Sequence, residues 1–125
     1  MEQVLVNGVD MEEIERVRRL EPRIRARFIE RVLTPAERSH PQPPDEHIVG
    51  IFCAKEALAK ALGCGIGEIS WQEIQVLSDP RGKPVLHLTG RAADLAGEMG
   101  ITGWAVSISH TRTHAIASVV GLGIR

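Results

Sequence analysis

The chain has 125 residues and a formal net charge of −1, because its 15 Lys and Arg residues nearly balance 16 Asp and Glu. This length and an apolar content of 43% predict one packed domain over residues 1–125, and they exclude disordered and fibrous classes. Only 3% of the residues are aromatic, and the charge shows no basic excess, so we expect no nucleic-acid partner.

The N-terminal residues and the cysteines predict a cytoplasmic location with no membrane partner. Residues 1–13 lack the basic and apolar regions of a signal peptide, and no apolar run approaches the roughly 18 residues of a membrane span. Cys53 and Cys64 have no partner at metal-ligand spacing, so both are expected to be reduced and structural.

The first third of the chain predicts a strand followed by two helices. Residues 3–9 form an apolar run that favours a strand, and Asp10 then fits the N-cap of a helix over residues 11–20. Pro22 interrupts that helix, and apolar residues spaced by four predict a second helix over residues 24–32.

The longest predicted helix covers residues 48–62. Before it, residues 34–37 (Thr-Pro-Ala-Glu) have the form of a helix start, with a hydroxyl cap and a Glu three positions later. Residues 39–46 contain three prolines and are typical of an exposed loop. The apolar pattern of residues 48–62 then predicts a helix that Gly63 and Gly65 end.

The rest of the chain predicts an antiparallel sheet. The elements are strands over residues 71–77 and 85–88 around a turn at 79–84, a helix over 91–99, and strands over 104–108 and 115–120. This order predicts an α+β fold, in which one antiparallel sheet packs against the helices of a single domain.

Two carboxylates and a lysine are candidates for chemistry. Asp10 at a strand end would face a cleft, with a structural N-cap as the alternative. Glu56 and Lys60 lie one helical turn apart, which on its own is typical of a solvated ion pair. The chain uses Arg at 12 of its 15 basic positions, yet Lys55 and Lys60 lie around Glu56, and the third lysine is Lys83. An ammonium group suits a phosphate or a departing oxygen.

A phosphate contact is predicted where a strand ends at Ser109, His110 and Thr111. Hydroxyls, an imidazole and backbone amides can surround an anion there. A capped strand end and a nucleophilic serine are the alternatives, although the chain has no Gly-x-Ser-x-Gly elbow. Together with Asp10 and Glu56, this turn describes a site that holds Mg²⁺ through carboxylates and substrate phosphates.

The sequence resembles the holo-acyl-carrier-protein synthase family, the small 4′-phosphopantetheinyl transferases. The match is collinear over nearly the whole chain. Its motifs are Gly8-Val9-Asp10 with Arg16, residues 27–34 with Glu37, Ala54-Lys55-Glu56-Ala57 with Lys60-Ala61-Leu62-Gly63, Gly82-Lys83-Pro84, and residues 106–110. Each motif is short, and their common order makes the resemblance specific.

The resemblance implies the fold of that family and a Mg²⁺-dependent reaction of fatty acid biosynthesis. The phosphopantetheine arm of coenzyme A passes to a serine of an apo acyl carrier protein, and adenosine 3′,5′-bisphosphate is released. Asp10 and Glu56 match the Mg²⁺ ligands and, with Lys60, the catalytic residues. The residues implied at the coenzyme A site are Lys60, Gly63, Gly65, Lys83, Pro84, Ser109, His110 and Thr111. The family also implies a homotrimer with sites at the subunit interfaces.

Carrier proteins are typically acidic, and the first two predicted helices carry arginines that would attract one. These residues are Arg16, Arg23, Arg27 and Arg31. A solvated helix face paired with neighbouring glutamates is the alternative for each of them.

Two other hypotheses remain open at this stage. One is a noncatalytic carrier- or coenzyme A-binding protein that retains the fold, and the other is a transferase dedicated to one secondary-metabolite pathway. Asn7 and Ile51 depart from the family pattern, in which a basic residue is common at the second position. The change at Ile51 removes one potential phosphate or carrier contact, which bears on substrate preference more than on the reaction. Intact Asp10, Glu56 and Lys60 favour the enzyme.

Overall fold

The computed structural model describes residues 1–38 and 43–125. In this part of the chain the elements are β1 (Gln3–Glu13), α1 (Glu15–Arg18), α2 (Pro22–Val32), α3 (Asp45–Ala61), β2 (Ile74–Ser78), β3 (Pro84–Leu88), α4 (Gly90–Glu98), β4 (Ile101–His110) and β5 (His114–Ile124). The predicted α+β class is confirmed. The strands form two antiparallel sheets instead of one, a three-stranded sheet in the order β1-β5-β4 and a hairpin of β2 and β3.

The three-stranded sheet has one buried face and one exposed face. Along β5 the residues alternate between buried and exposed, as the two-residue period of a strand requires. Ala115, Ala117 and Val119 point inward and pack against α3 with almost no exposed surface. The opposite face carries large apolar side chains that remain exposed, and it becomes important for assembly below.

Helix α3 is the centre of the core. It is apolar on nearly all sides because it contacts the three-stranded sheet on one side and the hairpin and α1 on others. The predicted helix over residues 48–62 is therefore confirmed, and it begins earlier, at Asp45. Of the predicted loop over residues 39–46, residues 39–42 lie outside the described residues. Asp45 and Glu46 form the first turn of α3, where acidic side chains interact favourably with the helix dipole.

The helix predicted over residues 11–20 is wrong in its bounds, because residues 11–13 belong to β1 and only Glu15–Arg18 form a helix, α1. Strand β1 continues to Glu13, because β5 is long enough to pair with it as far as His114. The apolar spacing that indicated a helix is shared between two elements: Met11 is exposed on the outer face of the sheet, whereas Ile14 and Val17 are buried around the single turn of α1.

Two further predicted elements, the helix starting at residues 34–37 and the strand over residues 71–77, differ from the structure near their first residues. Thr34 and Glu37 do form the reciprocal bonds of a capping box, with the Thr34 amide 2.7 Å from Glu37 Oε1, but the described residues that follow make a turn. The strand predicted over residues 71–77 begins only at Ile74, because Ser70 caps a short 3₁₀ turn over Trp71–Glu73. In the described part of the chain, no helix is both long and apolar enough to span a bilayer.

Candidate active site

Asp10 lies inside β1, opposite Ala117 of β5, and not at the end of a strand. The interpretation of this residue as an N-cap is therefore wrong. Its side chain points to the inner face of the sheet, where it is only 16% exposed. A carboxylate in this position faces the C-terminal half of α3.

Gly8 explains why α3 approaches β1 so closely. A Cβ at this position would collide with the backbone carbonyl of Ala57, so only glycine fits between the strand and the helix. Gly8 and Asp10 are two residues apart on one strand and therefore share a face. The Gly-Val-Asp motif thus combines a glycine that admits the helix with a carboxylate that faces it.

Lys60 of α3 contacts this carboxylate. Its ammonium nitrogen lies 3.1 Å from Asp10 Oδ1 and 3.0 Å from the carbonyl oxygen of Val9. The lysine side chain is about half exposed, so one side of the pair is open to solvent. Asp10 Oδ2 is buried and accepts no hydrogen bond from any described residue. An unpaired buried carboxylate oxygen is costly for a fold and is therefore a candidate ligand atom.

Glu56 completes the acidic cluster. Burial raises the pKa of its carboxyl, the Asp10 carboxylate raises it further, and the Lys60 ammonium partly opposes the rise. Two neighbouring carboxylates with a free oxygen form a hard donor set of the kind that Mg²⁺ prefers. Among the described residues, no group of three or more His, Cys, Asp or Glu side chains could hold a metal ion. Any cation here would therefore need further oxygen ligands from a substrate or from water.

Cys53 is buried next to this cluster, and its thiol is unreactive. Its thiol is fully buried, and burial together with the nearby Asp10 carboxylate raises its pKa to about 12. The thiolate is therefore not formed near neutral pH, in agreement with the expected structural role.

Gly63 and Gly65 follow the end of α3, within a few residues of Lys60. Gly63 has a φ of +76°, and its amide donates to the Lys60 carbonyl at 3.0 Å, which is the usual left-handed end of a helix. Both glycines are exposed. They leave open backbone beside the lysine.

The other predicted ligand-binding residues lie elsewhere, around a cavity of about 410 Å³. Its walls come from the first turns of α3, the β2–β3 hairpin and the end of β4. Pro84 and His110 line this cavity. Lys83 and Ser109 are exposed and lie outside its lining. Thr111 lines a neighbouring cavity of about 520 Å³, where the sequence analysis missed two arginines, Arg18 and Arg112.

The acidic cluster and this cavity are separate within one chain. Asp10 is on β1 and His110 on β4, with β5 between them, so the two strands lie roughly 10 Å apart. Along α3, Lys60 and the cavity residue His47 are about 20 Å apart. The single cluster of carboxylates and phosphate-binding turn that the sequence suggested is therefore not formed within one copy.

Lys55 does not belong with the other two lysines. Its side chain is fully buried and donates to Glu37 Oε1 at 2.8 Å. Burial lowers the pKa of this ammonium, and the Glu37 carboxylate opposes that change. Lys55 is fully enclosed and cannot reach a ligand, so of the two lysines around Glu56 only Lys60 remains a candidate for contacting a phosphate.

The four predicted carrier-binding arginines are exposed on α1 and α2. Arg16 is paired with Glu12 at 2.9 Å, whereas no ion pair of Arg23, Arg27 or Arg31 occurs among the described residues. Next to Arg16 lies an apolar groove of about 250 Å³, which the sequence analysis missed. Its lining consists of Val17, Leu20, Phe28, Val49 and Phe52 together with Glu12, Glu13 and Arg16.

Comparison with known proteins shows what this arrangement is similar to. Residues 7–117 match the family model of the 4′-phosphopantetheinyl transferase superfamily. A holo-[acyl-carrier-protein] synthase of Herpetosiphon aurantiacus is 43% identical, with 96% of this chain and all of that protein covered. One from Solidesulfovibrio magneticus is 44% identical over 90% of this chain and 94% of its own length. The crystal structure of the Helicobacter pylori holo-[acyl-carrier-protein] synthase in complex with coenzyme A superposes with a TM-score of 0.81 at 33% identity, covering 92% of this chain and 98% of the other.

Proposed function

The chain belongs to the 4′-phosphopantetheinyl transferase superfamily, and we propose that it transfers the 4′-phosphopantetheine group of coenzyme A to a serine of an apo acyl carrier protein. The observation that carries this proposal is the acidic cluster of Asp10 and Glu56 beside the Lys60 ammonium. In this proposal residues 1–125 form one transferase domain that serves fatty acid biosynthesis in the cytoplasm.

Asp10 and Glu56 would hold Mg²⁺. Asp10 Oδ2 is buried and has no hydrogen-bond partner among the described residues, which supports this assignment because a bound cation would satisfy it. The Asp10 and Glu56 carboxylates repel each other when both are ionised, and a divalent cation would relieve that repulsion. When bound, Mg²⁺ neutralises charge on phosphate oxygens.

Phosphoryl transfer depends mainly on positioning and charge neutralisation, and the chain offers groups for both. The serine oxygen forms a bond to the β-phosphorus of coenzyme A, and the bond from that phosphorus to the oxygen bridging the pyrophosphate breaks. Lys60, half exposed above Asp10, stabilises the negative charge on the departing adenosine 3′,5′-bisphosphate. The serine proton passes to the Glu56 carboxylate or to a water held beside Asp10.

Coenzyme A would be held by residues of two regions. Beside the acidic cluster, the open backbone of Gly63 and Gly65 and the Lys60 ammonium would contact the pyrophosphate. The 410 Å³ cavity, with Pro84 and His110 in its walls, would accept another part of the molecule. We place the exposed residues Lys83, Ser109 and Thr111 at the rim of that part of the site.

A homotrimer would bring the two regions together. The outer face of the three-stranded sheet exposes apolar side chains that are 38–71% accessible: Leu5, Val9, Met11, Ile116, Val120, Leu122 and Ile124. A contiguous apolar surface of this kind is typical of an assembly interface. Packing between copies could place the acidic cluster of one beside the cavity of the next, which one copy alone cannot do.

The carrier protein would bind on α1 and α2. Arg23, Arg27 and Arg31 recur every four residues on one face of α2, and Arg16 borders the apolar groove. Arg23, Arg27 and Arg31, which form no ion pair with a described residue, would attract an acidic partner, and the groove would accept an apolar side chain of it.

The direct test is a mass shift. Apo acyl carrier protein is incubated with coenzyme A, Mg²⁺ and the protein, and mass spectrometry detects added phosphopantetheine. Binding of coenzyme A without any transfer to fatty-acid or polyketide carriers would support a noncatalytic binding protein instead.

A second test addresses the shared site. Asp10→Asn and His110→Ala are each expected to be inactive, but unfolding and refolding them together should restore part of the activity, because some mixed trimers contain one intact site. No recovery, or a monomer by light scattering, would contradict a site built between copies.

A further inference from the structure

The Glu37–Lys55 ion pair is the most deeply buried charged contact among the described residues. Neither side chain has any exposed surface, and Lys55 Nζ lies 2.8 Å from Glu37 Oε1. We propose that this pair positions the β2–β3 hairpin against α3 and thereby sets the width of the coenzyme A cavity. The proposal rests on the function proposed above and adds positioning residues that touch no ligand.

The pair is satisfied on both sides. Besides Glu37, the ammonium donates to the carbonyl oxygens of Val32 at 2.5 Å and Trp71 at 3.0 Å, which uses its three protons. Glu37 Oε1 also accepts from the Thr34 amide at 2.7 Å. The pair therefore joins α3 to the end of α2, to the turn that follows it and to the 3₁₀ turn before β2.

The remaining oxygen of Glu37 binds the hairpin itself. Glu37 Oε2 accepts from the backbone amide of Val76, in the middle of β2, at 2.7 Å. A second bond runs from the Thr34 hydroxyl to Gln75 Oε1 at 2.7 Å. The hairpin forms its own two-stranded sheet, and an isolated hairpin is only marginally stable. The bonds to Glu37 and Thr34 add directed contacts to the packing of Ile74 and Val76 in the core and of β3 beside β4.

The anchored strand is also a wall of the cavity. Val76, Ser78 and Pro84 line it from the hairpin, and Gly50 and Ile51 line it from α3. The distance between these walls depends on how β2 is held relative to α3. Glu37 is bonded to both elements at once, through Val76 and through Lys55. A change at Glu37 should therefore alter the cavity without touching a ligand.

Stability alone does not explain a charged pair at this position. Desolvation of two charges offsets most of their attraction, so apolar residues of similar volume are often equally stabilising. Apolar contacts, however, have no direction. What the pair adds is a set of bonds with fixed geometry, which is what a cavity wall requires.

Two double variants separate the bond to the hairpin from the charge. Glu37→Leu with Lys55→Met removes the pair and leaves the Val76 amide without an acceptor. Glu37→Gln with Lys55→Met also removes both charges but keeps a side-chain oxygen that can accept from that amide. Val4→Ala, in the core near the start of β1, controls for a general loss of stability.

We expect the leucine variant to raise KM for coenzyme A about tenfold, the usual scale for losing a group that orients a binding residue. Its kcat should stay within about threefold of wild type, and KM for the carrier should not change. The glutamine variant keeps the bond to Val76 but loses the link to α3 through Lys55, so it should raise KM less than the leucine variant, and Val4→Ala should keep the wild-type KM. An unchanged KM in a folded leucine variant, or an equal rise in all three variants, would overturn the proposal.

Hydrogen exchange supplies a readout that does not depend on coenzyme A. Amides of β2 and β3 should exchange faster in the leucine variant than in the glutamine variant, with the exchange of β5 unchanged. Equal protection of the hairpin in both variants would contradict the positioning role of the pair, whether or not the protein binds coenzyme A. A failure to bind coenzyme A would instead count against the proposed function. If the leucine variant does not fold, Thr34→Val removes the other bond to the hairpin and should raise KM in the same direction, and no rise would overturn the proposal.

Discussion

Helix α3 carries two lysines, five residues apart, that each pair with a carboxylate from another part of the chain. Lys55 and Glu37 are fully buried, and every oxygen of the carboxylate accepts a bond. Lys60 and Asp10 lie at a similar distance, but the lysine is half exposed and one oxygen of Asp10 is buried without a partner among the described residues. An ammonium and a carboxylate thus form a closed pair in one case, with every atom satisfied, and an open pair in the other, with atoms still available to a ligand.

The difference is informative about function. A closed pair has no free atom to offer a ligand, so its effect must pass through the elements that it connects. An open pair contains an oxygen and an ammonium that a ligand can satisfy, which is the pattern of a binding or catalytic site. Distance alone, 2.8 Å against 3.1 Å, would not have separated the two.

The largest expected effect is on stability, from Lys55→Met. It leaves the Glu37 carboxylate buried without its counter-charge, and we expect the free energy of unfolding to fall by about 3–5 kcal/mol. Lys60→Met removes an exposed partner and should cost no more than about 1 kcal/mol. Urea unfolding followed by circular dichroism measures both. Similar losses in the two variants would remove the distinction between the pairs.

Asp10→Asn should affect activity much more than stability. The fold should lose less than about 1 kcal/mol, because the Lys60–Asp10 pair is partly exposed. Transfer to the carrier should fall roughly 100-fold or more, the scale of removing a charged group that acts on the transition state. Asp94→Asn, on the exposed side of α4, is the matched control and should behave as wild type. Near-normal turnover in the Asp10 variant would refute the assignment of the acidic cluster.

The sequence was sufficient to predict the order of the elements, the limits of α3 to within a few residues, and the family. Local patterns determine those features. It could not show that Asp10 lies within a strand, because the spacing of Met11, Ile14 and Val17 fits a helix until the length of the partner strand β5 is known. Nor could it separate Lys55 from Lys60, since their difference arises from Glu37, which is distant in sequence and reaches α3 only in the folded chain.

Glu73 provides a third case for the comparison of the two ion pairs, because both oxygens of its carboxylate accept hydrogen bonds although the residue is not deeply buried. The amides of Ser70 and Arg91 donate to it at 2.8 Å and 2.7 Å. These bonds, that of Ser70 first, lower the pKa of the Glu73 carboxyl. A lowered pKa adds stability above the pKa of the unfolded state, and that stability is lost as pH falls through the folded pKa. Glu73→Gln should therefore be less stable than wild type at pH 7, and the gap should close below about pH 4. Urea unfolding across this range measures it, and a constant gap would contradict the assignment.

The smallest expected effect concerns two arginines on α2 that differ in their partners and in their exposure. Arg25 is bonded to Asp45 at 2.6 Å, which ties α2 to the start of α3, whereas Arg27 forms no ion pair with a described residue. Arg25→Ala should lower stability by up to about 1 kcal/mol and leave association with the carrier unchanged. Arg27→Ala should leave stability unchanged and slow association about two- to threefold at low salt, with the difference disappearing as salt screens the charges. Stopped-flow association with apo carrier protein measures this. A paired arginine holds the fold together and an unpaired one is free to attract a partner, so slower association in the Arg25 variant alone would place the carrier on a different surface.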